Sequence, residues 1–207
     1  MIVLARSAPP ALDAPLLRRE LQKTYARMAL FPGRRYHLNT GRRFAELVGY
    51  PADALSGQPA SSVDAFSGAG YPLATVELRP GEAVLDVGCG AGLDLLLAAR
   101  AVGPTGRAVG IDLTPEMVQV ARASARKAGL KNVTVDVGLA ETLPYPDETF
   151  DVVLANNVIN NCAVDKLAVL SEIRRVLRPG GALAVADVMI ARPIPDDGRA
   201  EIGLWTC

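Results

Sequence analysis

A chain of 207 residues, half of them apolar, is long enough to bury a core and too hydrophobic to remain disordered. Its 22 basic and 22 acidic side chains cancel, which excludes an overall field drawing it onto nucleic acid or an anionic membrane. No run of about 18 apolar residues can span a bilayer, and Cys89, Cys162 and Cys207 have neither disulfide nor zinc spacing; the expectation is a reduced, cytoplasmic protein without a metal.

Residues 1–80 carry helical signals broken by Pro and Gly and little that resembles a strand, so a helical N-terminal cap is expected there. Asp13 can cap a helix whose apolar stripe runs through Leu17, Leu21, Tyr25 and Met28 and ends near Phe31-Pro32-Gly33. Short helices are expected over 43–48 and 61–66. From Gly81 the texture changes to strand–helix alternation, so residues 81–207 are expected to form the core. Strands are expected at 83–87, 107–112, 132–137, 150–155 and 182–188, the last after a Pro179-Gly180-Gly181 turn. Between them come helices over 93–102 and about 165–177, and one capped by Thr114, started by Pro115 and closed by Gly129. The strands are continuous Val/Leu/Ala runs rather than alternating ones, as in parallel strands covered on both faces. With right-handed crossovers, the expected fold class is α/β: a Rossmann-like, doubly wound, mainly parallel sheet.

The first strand leads into Asp86-Val87-Gly88-Cys89-Gly90-Ala91-Gly92, with a helix starting at once. Glycines let the backbone turn sharply and approach a ligand, and a helix N-terminus presents free N–H groups. Such a loop alone is weak evidence, and the bland alternative is a tight turn. Its context is more specific, because Asp112 ends the next strand about 20 positions beyond Gly92, where a carboxylate accepts both hydroxyls of a ribose. A dinucleotide loop wants Gly-x-Gly-x-x-Gly, and a P-loop wants Gly-Lys-Ser/Thr; neither is present, which disfavours an NAD-type oxidoreductase. Asp86 would repel a pyrophosphate but suits the ammonium of an amino-acid moiety. That charge logic favours S-adenosylmethionine (SAM), which has the ammonium and no phosphate.

Five stretches in order carry a family resemblance: residues 85–92, Gly110-Ile111-Asp112, Leu143-Pro144-Tyr145-Pro146-Asp147, Phe150-Asp151-Val152-Val153 and Val176-Leu177-Arg178-Pro179-Gly180-Gly181. Over residues 80 to 190 the sequence resembles class I SAM-dependent methyltransferases. The resemblance implies that Asp86, Gly88, Gly90, Gly92 and the Cys89 backbone hold the methionine part. Asp112 would take the ribose, Leu113 would lie against the adenine, and Leu139 and Ala140 would reach its edge, with Asn156 closing the site. Many relatives have an acid where Leu139 stands. S-adenosyl-L-homocysteine (SAH) would be the product.

Within that superfamily the sequence is similar to the arsenite methyltransferases. Gly68-Ala69-Gly70-Tyr71-Pro72, Asn156-Asn157-Val158-Ile159-Asn160 and Leu204-Trp205-Thr206-Cys207 match its frame, with Ala69 and Asn157 where two of its three cysteines would stand. Arsenic(III) is a soft centre held by thiolates, which neither a methyl nor an amide replaces. Asn157, Cys162 and Cys207 are the candidate substrate residues; Cys162 is either a second thiolate or a small apolar residue in a loop. The expectation is an arsenite-methyltransferase-like scaffold acting on a changed small-molecule acceptor. A SAM-binding protein without turnover is the alternative from another class.

His37, the sole histidine, is a candidate general base or else a packed imidazole. Tyr25 could close over a sulfonium or belong to the core. Nucleic acid is not expected as a partner: the Asp/Asn-Pro-Pro-aromatic element of base amino-methyltransferases is missing after the fourth strand, and the Arg34, Arg35, Arg42, Arg43 cluster reads as a solvated surface. The family's further C-terminal strands are expected to be missing, since 190–207 is too short for both. The apolar strand 182–188 would then be an open edge, met by a second copy of the chain or by a continuation of a longer protein.

Overall fold

The computed structural model describes residues 13–160 and 166–188. Helix α1 (Ala14–Leu30) begins where the Asp13 carboxylate accepts the Leu16 N–H at 3.0 Å. It buries Leu17, Leu21 and Met28, as the stripe predicts, and stops at Phe31, just before Pro32. Three short helices follow: α2 (Arg42–Leu47), α3 (Ala52–Ser56) and α4 (Ala60–Asp64). Sequence reading misses α3 because five residues carry too little periodicity.

The core holds β1 (Ala83–Val87), α5 (Leu93–Ala101), β2 (Arg107–Asp112), α6 (Pro115–Lys127), β3 (Val133–Val137), β4 (Phe150–Asn156), α7 (Lys166–Val176) and β5 (Leu177–Ala186). The five strands form one parallel sheet in the order β3-β2-β1-β4-β5. Every residue of central β1 is buried, which explains its uninterrupted apolar run around Asp86. The chain winds from β1 outward to β3, then returns to the other side of β1 as β4. That reversal opens a crevice beyond the C-terminal ends of β1 and β4, the usual ligand position in an open α/β sheet.

Two expectations are corrected in detail. β5 spans Leu177–Ala186 rather than 182–188, because the Pro179-Gly180-Gly181 stretch is absorbed as a bulge instead of standing as a turn before the strand. Leu177 faces Phe150 and Ala182 faces Val152, with the register slipping between them. A Cβ on Gly181 would come within 2.9 Å of two carbonyl oxygens, those of Arg178 and Asp151. Thr114 sits at the start of α6 but makes no side-chain cap bond, its hydroxyl being turned to Asp112. Among the described residues β5 pairs on one side only, with β4. Cys162, Cys207 and the stretch 190–207 lie outside the described residues. Among the described residues no helix is long and apolar enough to cross a membrane.

The cap is welded to the core by apolar contact. Ala45, Tyr50, Leu55, Val63 and Phe66 cluster with Leu93 of α5, and Met28 and Ala29 of α1 cluster with Ala91 and with Met117 of α6. These contacts lay α1 across the mouth of the crevice.

Candidate active site

The crevice is a pocket of about 1080 Å³, open mouth included, walled by the 88–92 loop, the ends of β2 and β4, residues 138–141, and Arg18, Leu21 and Tyr25 of α1. Gly88 has a φ of 68° and packs so tightly that a Cβ there would meet a Val158 methyl at 1.9 Å. Four of the loop's N–H groups are engaged within the protein. Gly88 and Cys89 donate to the Ile111 carbonyl at 2.8 and 3.1 Å, Gly92 donates to the Cys89 carbonyl at 2.8 Å, and Gly90 donates to Asp112 Oδ2 at 2.8 Å. The Cys89 N–H is therefore engaged within the protein rather than offered to a ligand. Its thiol is buried against the core, which pushes its pKa well up. A loop with these donors satisfied does not cradle a pyrophosphate.

Besides Glu141, which pairs with Arg18, three carboxylates line the pocket. Asp86 is 2% exposed and its Oδ2 has no hydrogen-bond partner. Burial, and then the charges of Asp94 and Asp112, hold its pKa well above the usual carboxylate range. Asp94, in the first turn of α5, accepts the Tyr50 hydroxyl at 2.7 Å and the Asn156 amide at 2.9 Å. Burial raises it to about 6 against those two bonds. Asp112 accepts Gly90 N–H on one oxygen and Thr114 N–H on the other, each at 2.8 Å. Ion pairs of the described residues reach none of the three.

Residues 78–203 match a family described as a methyltransferase domain. The chain belongs to that family. It is 44% identical over 157 residues, 76% of its length and 40% of the relative's, to an arsenite methyltransferase of Halobacterium salinarum. It is 41% identical over 110 residues, 53% of its length and 43% of the relative's, to a demethylmenaquinone methyltransferase of Symbiobacterium thermophilum. Its fold is similar to the solved arsenic(III) S-adenosylmethionine methyltransferase of Chlamydomonas reinhardtii, with a TM-score of 0.59 and 34% identity over 78% of this chain and 53% of that one. The chain thus spans about four-tenths of the curated relatives' length.

The pocket wall includes Asp86, Gly88, Cys89, Gly90, Asp112, Leu113, Leu139, Ala140, Asn156 and Asn157, while Gly92 stands just behind it at the start of α5. Asn156, in the pocket wall, also bonds to the 67–70 loop and to Asp94. Its Oδ1 accepts the Ala69 N–H at 2.7 Å, and its amide donates to the Gly70 carbonyl at 2.9 Å and to Asp94. It therefore anchors the 67–70 loop. Asn157 holds a φ of 58°, which Asn tolerates, and donates its amide to the Ser67 carbonyl at 3.2 Å. Asn156 and Asn157 thus join β4 to the loop bearing Ala69.

His37 is exposed and outside the pocket, so it is not placed to act as a base there. Tyr25 does line the pocket, and burial, then the Asp112 charge, push its hydroxyl up to about 12. Sequence reading missed Asp94, Tyr50, Arg18 and Glu141. An Asp in a first helical turn reads as a dipole partner, and the other three are brought in by packing from 44 to 123 positions away. Arg18 pairs with Glu141 at 2.9 Å, and Gln22 donates to the Leu113 carbonyl at 2.9 Å; together they fasten α1 over the pocket.

Proposed function

We propose that this chain binds SAM in the crevice and serves as the methyl-transferring unit of a small-molecule methyltransferase. The observation that carries the reading is the orphaned, buried Asp86 oxygen in a pocket rich in carboxylate. Such a carboxylate calls for a ligand cation, and the ammonium of SAM supplies one. Asp86 would hold the ammonium. Asp112, whose bonded N–H groups fix its orientation, has lone pairs left for the ribose hydroxyls. Ile111, Leu113, Leu139 and Ala140 would form the adenine slot.

Bound there, SAM supplies an electrophilic methyl group on a sulfonium. The protein aligns the acceptor, excludes water under α1 and turns the Tyr25 ring toward the pocket. With the sole histidine outside, the acceptor favoured is one that is nucleophilic without a base, such as a thiol or a soft centre. Ala69 and Asn157 argue against arsenite as the efficient acceptor, since both lack a thiolate.

Calorimetric titration with SAM, SAH and NAD tests the binding half: SAM and SAH are expected to bind and NAD is not. Consumption of SAM with small thiols, phenolic metabolites and arsenite then tests transfer. Heat from NAD and none from SAM would overturn the reading.

A further inference from the structure

Apart from Glu141, which is paired with Arg18, the pocket contains one carboxylate more than the ammonium and the ribose require. Asp86 closes β1 and Asp94 opens α5, on either side of the glycine loop, and both line the same pocket. Both are almost fully buried, at 2% and 5% exposed. Asp94 is held in place from two directions, by Tyr50 of the cap and Asn156 of β4, whereas Asp86, which lines the same pocket, has a buried Oδ2 with no hydrogen-bond partner.

Among the described residues the surroundings supply no compensating positive charge. Asp112 faces the pair from β2, and the neutral groups Tyr25 of α1, Tyr71 of the cap and the Cys89 thiol surround it. Arg18, the cation in the wall, is engaged by Glu141. Asp187 contributes a further negative charge on the Tyr25 side. Two adjacent buried carboxylates without a cation do not both ionise; one proton is retained between them.

Resting on SAM as the ligand, we infer that Asp86 and Asp94 share a proton in the empty pocket and that the arriving ammonium displaces it. The exchange balances: one proton leaves for solvent, and one ammonium takes its place beside two carboxylates that then both ionise. Asp94 is thereby a positioning residue, acting through its coupling to Asp86. Cofactor affinity becomes a function of pH. SAM binds with full affinity where the pair is already ionised, and loses about tenfold per pH unit where the proton must be displaced. An ordinary α-amino group stays protonated to about pH 7.7–8.0, so the window between the two titrations is where binding is strongest.

The test is calorimetry of the full chain with SAM in two buffers of different ionisation enthalpy, between about pH 5 and pH 7.5. About one proton released per SAM at the acid end, falling toward none at the alkaline end, is expected. 5′-Methylthioadenosine, which carries the nucleoside and the thioether but no ammonium, is expected to release none. Asp94→Asn is expected to move the midpoint of the release to lower pH, since Asp86 then feels only burial and Asp112. Should that variant fail to fold, Tyr50→Phe removes one donor from Asp94 and is expected to move the midpoint of release to higher pH. SAM binding with no proton exchange, or a release midpoint that Asp94→Asn leaves unmoved, overturns the inference and leaves the cofactor reading intact. Absence of SAM binding at every pH overturns the cofactor reading itself.

Discussion

Replacing Asp112 by Ala separates a ligand contact from a structural one. In the protein its carboxylate accepts two main-chain N–H groups, from Gly90 and Thr114, each at 2.8 Å. A carboxylate offers about four lone-pair sites, so about two remain for the vicinal hydroxyls of a ribose. Losing a hydrogen bond to a charged group costs about 1.5–3 kcal/mol, which is about a ten- to hundredfold weakening of SAM binding. Orphaning the two N–H groups costs stability as well, about 1–3 kcal/mol in total, because the half-buried site lets water in as the side chain leaves. Calorimetry reads the first effect and urea unfolding the second. A ligand pair isolates the ribose: wild type is expected to prefer 5′-methylthioadenosine over its 2′-deoxy analogue by about tenfold, and Asp112→Ala to bind both alike. Unchanged SAM affinity, or a riboside preference that survives the substitution, would refute the ribose assignment.

His37→Ala is expected to leave kcat and KM within about twofold of wild type, since the imidazole is exposed and away from the pocket; a loss of about tenfold or more in kcat would restore it as a base. Arsenite methylation is expected to be weak, and to rise when Ala69→Cys and Asn157→Cys are combined; rapid wild-type turnover of arsenite, read as methylated arsenic, would contradict the changed-acceptor reading. Gly88→Ala is expected to abolish SAM binding and destabilise the fold by more than about 2 kcal/mol, because its Cβ would overlap Val158 at a positive φ; a fully stable, SAM-binding variant in urea titration would show that the loop has another arrangement. Without ligand, stability is expected to fall as pH rises from about 4 to about 6. Asp94 binds its proton more tightly folded than unfolded, so the contribution is present below the unfolded carboxylate pKa and is lost through about 6. The fall is at most about 3 kcal/mol, and urea midpoints that rise over this range would invert the sign.

The parallel, helix-covered sheet was legible in the sequence because each strand carries its own signal. Residues 83–87 and 150–155 are apolar runs bounded by turn residues, and the loop at 88–92 needs glycine where the backbone takes a positive φ. The positions of Asp86 and Asp112 followed from the same local logic, since strand ends in this topology face the ligand crevice. The sequence left undetermined whatever depends on distant segments meeting. It could not show that Tyr50 bonds Asp94, that Asn156 is occupied by the 67–70 loop, or that Arg18 reaches Glu141 across 123 positions. It left His37 open between a base and a packed imidazole because a lone histidine carries no mark of its exposure, and it could not show that the Cys89 N–H is bonded to the Ile111 carbonyl. Hydrogen-bond partners and burial are properties of three-dimensional neighbours, so only the packed cap and core decide which polar groups remain free for a ligand.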